Sequence, residues 1–142
     1  MQGKVLTLTK RIRTTPFSPR IEKYVNGVTV YNHMILPTVF NGIEEDCRHL
    51  KTEVQLWDVS VQRQVEIRGK DARKLLEKLT PRSLENMTSE KCLYIPMVNK
   101  LGGMINDPVL LKLDENRYWI SIADSGVLLW VSGVASGLSL DV

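Results

Sequence analysis

Long apolar runs are missing from this 142-residue chain, and none approaches the eighteen or more residues that a membrane-spanning helix needs. The early Val5-Leu6-Thr7-Leu8 run is too short for the core of a signal peptide, so secretion is not expected. Cysteine is scarce: Cys47 and Cys92 stand far apart without CxxC spacing, which favours free thiols in a reducing compartment and makes the cytoplasm the expected location. Aromatics make up only 6%, so a core must rest on Leu, Ile and Val. Acids are absent from the first 21 residues, where Lys4, Lys10, Arg11, Arg13 and Arg20 form a basic arm. No aromatic alternates with these charges before Phe17 and no nucleic-acid motif follows, so a solvated or anion-facing segment is the expectation rather than a nucleic-acid interface.

Several catalytic patterns are also missing. Gly102-Gly103 lacks GxGxxG spacing and a following Lys-Ser/Thr, which excludes a Gly-rich phosphate loop. His33 and His49 have no companions at metal-ligand spacing, so no metal is expected, and Asp46 with His49 reads as a surface pair. There is no GxSxG elbow, and two isolated cysteines do not make a nucleophilic pair.

What is present suffices for one core: 43% of residues are hydrophobic and 25% charged. Thr15-Pro16-Phe17-Ser18-Pro19 forbids a continuous helix, so residues 1–26 read as irregular. Gly27 to Asn32 reads as a strand, and Asn32 to Asn41, with Pro37, as a loop. Ile43, Cys47, Leu50 and Val54 fall at helical spacing behind Asn41 as N-cap, with Glu44, Glu45 and Asp46 in the first turn. A second helix begins near Asp71, aligns Ala72, Leu75, Leu76 and Leu79, and stops at Pro81. Leu56 to Ser60 and Val65 to Arg68 are expected strands between the two. Further strands are expected at Cys92 to Val98, Val109 to Leu113 and Tyr118 to Ala123, the last two joined through Asp114-Glu115-Asn116-Arg117. Val127 to Leu138 reads as a helix weakened by Gly133 and Gly137. This order predicts an α+β fold with an antiparallel or mixed sheet. Leu138 to Val142 reads as a loop entering a new strand, so residues 1–142 are expected to be the truncated N-terminal portion of a larger domain.

One acid stands out. Asp107, in Asn106-Asp107-Pro108, opens an apolar strand just after Gly102-Gly103. Paired glycines allow a sharp turn and close approach of a ligand, and Pro108 removes a ladder donor, which suits an edge, a bulge or a pocket wall. The plain alternative is an Asp that caps a turn, and the residues alone leave both open.

Leu56-Trp57-Asp58-Val59-Ser60, then Gln64-Val65-Glu66-Ile67-Arg68-Gly69-Lys70-Asp71-Ala72, Tyr94, and the Asn-x-x-Gly-Gly-x-x-x-Asp pattern from Asn99 to Asp107 resemble the glycine-cleavage aminomethyltransferase superfamily. The resemblance covers nearly the whole chain and implies roughly the first two-fifths of a folate-binding one-carbon transferase. It implies tetrahydrofolate as cofactor, Asp107 as the catalytic carboxylate facing its reactive nitrogens, and Tyr94 beside Asp107 in the folate pocket; Gln62 is a further candidate for cofactor binding. The superfamily often has two adjacent acids here, and this chain has Asn106 in the first place. Asn32-His33-Met34-Ile35-Leu36-Pro37, Val61-Gln62 and Ala123 depart from the glycine-cleavage enzymes. Arg11-Ile12-Arg13-x-Thr15-Pro16-Phe17, Tyr31-Asn32-His33, Trp57 to Val65, Asn106 to Leu110 and Ser121-Ile122-Ala123-Asp124-Ser125 resemble instead the dimethylsulfoniopropionate demethylase branch. That branch implies methyl transfer from a sulfonium to N5 of tetrahydrofolate, with Phe17, Tyr31 and Trp57 as candidates to face the sulfonium by cation–π attraction. Each of these three rings has core packing as its competing role. The expected partners are a small sulfonium and folate, without nucleic acid or membrane, and a homodimer is compatible. The rival readings are a glycine-cleavage aminomethyltransferase, an oxidoreductase appendage without a dinucleotide fingerprint, and a non-catalytic folate-binding module. The fragment alone is expected to be inactive, with apolar surface exposed on Val127 to Leu138.

Overall fold

The computed structural model describes residues 9–123 and 126–142, in two compact units that meet in sequence at Val61 and Gln62. Val5 to Leu8, Lys4 of the basic arm and Asp124-Ser125 lie outside the described residues.

In the first unit, Pro19 sits at the start of a four-residue helix, α1 (Ser18–Ile21), where its missing N–H costs nothing, and a 3-10 turn follows at Glu22–Tyr24. The expected irregular segment therefore holds a short helical stretch. Strand β1 (Gly27–Tyr31) forms where alternation predicts it. The segment after it is not a loop, however: Met34–Val39 is strand β2, paired antiparallel with β1. The two-residue turn Asn32-His33 has φ of 50° and 61°, the positive values that a tight hairpin turn demands and that Asn tolerates. Pro37 is accepted because it lies beyond the short parallel contact that Arg13 makes on the outer edge of β2 at His33 and Ile35, where no further strand pairs among the described residues. The Asn32 side chain is buried and donates from Nδ2 to the Val61 carbonyl at 3.0 Å. Helix α2 (Ile43–Thr52) has Gly42 as its N-cap residue instead of Asn41, and Asp46 reaches back to accept from the backbone N–H groups of Phe40 and Asn41 at 2.8 and 3.1 Å. None of its residues is buried: Ile43 is 75% and Leu50 54% exposed, so the helical periodicity is real but its apolar stripe is uncovered. The expected strand at Leu56 to Ser60 does not form, and Leu56 is fully exposed. Asp58 holds this stretch instead, accepting from the Ser60 N–H at 3.0 Å and from the hydroxyl of buried Thr15 at 2.5 Å.

In the second unit, β3 (Gln64–Arg68) buries Val65 and Ile67 and exposes the residues between them. Helix α3 (Ala72–Leu79) starts after Asp71 and buries Ala72, Leu75, Leu76 and Leu79, as the spacing predicts. The expected strand over Cys92 to Val98 is broken at Ile95-Pro96 into β4 (Cys92–Tyr94) and β5 (Met97–Val98). Then come β6 (Met104–Asn106), β7 (Val109–Asp114), β8 (Arg117–Ser121) and helix α4 (Val127–Gly137). The strands pair antiparallel in the order β3-β8-β7-β4, with β5-β6 as a separate ribbon. Ile120 and Leu110 on the sheet, Leu75 and Leu76 on α3, and Val127 on α4 share one core, fully buried. Each such side chain contributes about 1.5–3 kcal/mol by leaving water. Along α4, Val127, Val131 and Ala135 face that core while Leu128, Leu129 and Trp130 are exposed, which matches the expected apolar surface. Residues 138–142 form no strand; Asp141 docks on the turn before α3, donating its N–H to the Asp71 carboxylate at 3.0 Å and pairing with Lys70 at 3.0 Å. Both cysteines are free and exposed.

Candidate functional site

Tyr94 ends β4, where the alternation that turns Leu93 toward the core turns Cys92 and Tyr94 outward. Asp107 lies between β6 and β7. Its neighbours Asn106 and Pro108 are both buried, so the same two-residue period sends its carboxylate outward. The pairing of Tyr94 with Val109 in β7 brings the two groups together, and the Tyr94 phenol donates to Asp107 Oδ2 at 2.9 Å. That hydrogen bond, followed by partial desolvation and the charge of Asp107, holds the Tyr94 phenol above its usual 10.0. The pair is open to solvent: Tyr94 is 48% exposed.

The turn that leads into Asp107 is built by Asn99. Its Oδ1 accepts from the N–H groups of Leu101 and Gly103, both at 2.9 Å. Gly102 supplies a positive φ of 79°, and a side chain at Gly103 would press on the Asn99 amide at 3.0 Å. The double glycine is thus explained by turn closure.

Across the outward face of the sheet, Tyr94 pairs with Val109, Val109 with Ser121, and Ser121 with Gln64. Gln64 donates from Nε2 to Ser121 Oγ at 3.0 Å and to the Gln62 carbonyl at 3.2 Å. Gln62 itself is exposed just before β3. One step along, Cys92, Leu111, Trp119 and Glu66 form a second row. Glu66 accepts from Trp119 Nε1 and from Arg117, both at 2.8 Å, and these bonds hold its pKa below the ordinary carboxylate value. The two-residue period marks Gln64 and Ser121 as outward, but only strand register sets them in the same row as Tyr94, three and two strands away.

Phe17, Tyr31 and Trp57 belong to the first unit. Phe17 caps α1 and is 52% exposed, Tyr31 closes β1 half-buried, and Trp57 is 64% exposed and donates from Nε1 to Gln55 Oε1 at 3.0 Å. None of the three fills a core. A groove of about 440 Å³ runs along α2 past Ile43, Cys47 and Lys51, and a hollow of about 240 Å³ lies among Arg82, Met87 and Lys91. Neither is lined by a candidate residue. Among the described residues no group of three or more His, Cys, Asp or Glu side chains could hold a metal ion, and no helix is long and apolar enough to cross a membrane.

An outward carboxylate bonded to a phenol, on a sheet face that also bears an amide and a hydroxyl, can accept protons or N–H bonds from a ligand. The chain is 48% identical over 134 residues to the dimethylsulfoniopropionate demethylase DmdA of Ruegeria pomeroyi, a match covering 94% of this chain and 37% of that one. It is 28% identical over 131 residues to an aminomethyltransferase of Staphylococcus epidermidis, covering 88% of this chain and 36% of the relative. The glycine cleavage system aminomethyltransferase T from Bartonella henselae superposes with a TM-score of 0.70 at 21% identity, over 87% of this chain and 36% of that one, which shows the α+β fold. The chain thus spans little more than a third of the length of the relatives it matches. The family model of the GCVT N-terminal domain matches residues 19–140, so the chain belongs to that family.

Proposed function

We propose that these residues form part of a tetrahydrofolate-dependent methyltransferase that takes its methyl group from dimethylsulfoniopropionate. The observation that carries the reading is the 48% identity to the Ruegeria pomeroyi demethylase across 94% of the chain. The Tyr94–Asp107 pair supports it from the side of chemistry. Tetrahydrofolate, when bound, supplies the nucleophilic N5 nitrogen. Methyl transfer to that nitrogen would leave the S–CH₃ electron pair on sulfur and release a neutral thioether, so no residue of this chain would have to act as a general acid. What the protein must do is align the reacting atoms within near-attack distance.

Asp107 is suited to two tasks. Its carboxylate can orient an N–H edge of the pterin and stabilise the positive charge that develops on the attacking nitrogen. It can also take the proton that this nitrogen sheds. Tyr94 holds one carboxylate oxygen, Oδ2, which leaves Oδ1 for the ligand. Gln62 extends the cofactor-binding set, and Phe17, Tyr31 and Trp57 are the candidates to face the sulfonium through their ring faces.

The test grafts these 142 residues in place of the matching segment of the Ruegeria pomeroyi demethylase and compares the parent chimaera with Asp107→Asn. Formation of 5-methyl-tetrahydrofolate should depend on dimethylsulfoniopropionate and fall about 10²–10⁴-fold in the variant. Folate affinity measured alongside separates lost binding from lost chemistry. Activity within a few-fold of the parent would remove Asp107 from the mechanism. The 28% identity to an aminomethyltransferase favours a second reading, transfer of an aminomethyl carbon to folate. A chimaera that ignores the sulfonium and uses an aminomethyl donor would establish it instead.

A further inference from the structure

Asn106 is a polar side chain at 4% exposure, one residue before the outward acid. Its carboxamide makes two hydrogen bonds to a single residue across the sheet. Nδ2 donates to the Ala123 carbonyl, and Oδ1 accepts the Ala123 N–H, both at 3.2 Å. The β7–β8 ladder runs as far as Val109 opposite Ser121, and the same register carried two residues further sets Asp107 opposite Ala123. At that step the Asn106 side chain, which has the donor and acceptor of a peptide unit, satisfies both groups of Ala123. On the other side, the Pro108 carbonyl accepts from Ile95 N–H at 2.9 Å, next to Tyr94. Asp107 is therefore held between two anchors. One ties its preceding residue to the end of β8, and the other ties its following residue to the end of β4.

We propose that Asn106 is a positioning residue, whose two-bond clasp on Ala123 sets the direction of the Asp107 carboxylate and so its union with Tyr94. Only an amide of this length meets both groups of Ala123. A carboxylate in its place would keep an acceptor for the N–H but set a second oxygen against the carbonyl. Leucine, of similar shape, would meet neither. The positioning follows from these contacts alone; its consequence for methyl transfer rests on the folate reading above.

The experiment titrates the tyrosines of this chain spectrophotometrically, with Tyr94→Phe assigning the Tyr94 step. Tyr118 is an internal control. Burial is the main cause of its own upward shift, and it donates to the Glu115 carbonyl at 3.1 Å, at the turn end of β8, opposite the end where Asn106 holds Ala123. In Asn106→Leu the Tyr94 step should fall toward the usual 10.0 while the Tyr118 step stays raised. In Asn106→Asp, which retains one of the two bonds, the Tyr94 step should move less. An unchanged Tyr94 step overturns the proposal. So does a joint fall of both tyrosines, because that is general loosening of the unit rather than positioning. If Asn106→Leu does not fold, Asn106→Asp is decisive on the same two readouts. In the chimaera, Asn106→Leu should lower kcat in the Asp107 background and add no further loss in the Asp107→Asn background. A chimaera insensitive to Asp107→Asn removes Asp107 from the mechanism and leaves the tyrosine result to decide the positioning.

Discussion

Replacing Asp58 tests whether two segments more than forty residues apart are held as the structure describes. Thr15 is 3% exposed, and its hydroxyl meets the Asp58 carboxylate, which also accepts the Ser60 N–H at 3.0 Å. Hydrogen bonds to a charged acceptor contribute roughly 1.5–3 kcal/mol net. Asp58 is only partly buried, so water takes up some of what Ser60 loses, and Thr15 keeps Ser18 Oγ at 3.2 Å. Asp58→Ala should therefore destabilise by about 1.5–2.5 kcal/mol and Thr15→Val by about 1–2 kcal/mol. If each acts through the other, the double variant falls short of the sum by about 1 kcal/mol. Urea unfolding of the four proteins measures that coupling.

Its pH dependence has a definite sign. Burial, the largest influence on Asp58, raises its pKa, but the Thr15 and Ser60 bonds outweigh it and hold the carboxyl below its usual 3.8. The folded chain thus binds this proton less readily than the unfolded one. The stabilisation is complete above the unfolded value and drains away as pH falls through the lower folded value. The coupling should be flat from pH 7 to about pH 5 and shrink below the usual 3.8. Additive single variants at neutral pH, or a coupling that grows on acidification, would refute the reasoning.

Two further outcomes follow from packing. Leu75→Ala, at a fully buried position on α3, should cost about 2–5 kcal/mol, while Leu129→Ala, 80% exposed on α4, should stay within about 0.5 kcal/mol. Equal losses in urea unfolding would mean that the helix faces are assigned wrongly. Gly69→Ala should destabilise by more than about 1 kcal/mol, because Gly69 has φ of 147° and a Cβ there would lie 2.3 Å from the Asp141 carbonyl oxygen. Faster hydrogen exchange at the Asp71 and Asp141 amides would accompany it, since those amides tie the two segments together.

Local pattern alone determined much of this molecule. The i, i+3, i+4 spacing of Ala72, Leu75, Leu76 and Leu79 marks both α3 and its buried face, and alternation marks β3, because these periods are set by backbone geometry. The acid at Asp107 stood out because no core position explains it. Pattern misled at Pro37, where an unpaired strand edge admits a proline that a central strand would reject, and at Leu56 to Ser60, where the Thr15–Asp58 bond replaces a ladder. The pairing of Tyr94 with Asp107 needed the register of β4 on β7, a contact thirteen residues apart in sequence that no local rule encodes. Asn106 is the clearest case. In the sequence it reads as a missing acid, and only when β8 is folded alongside does its amide find both the N–H and the carbonyl of Ala123. A side chain's propensity is a property of its own backbone, whereas its hydrogen-bond partners belong to whatever strand the tertiary fold brings beside it.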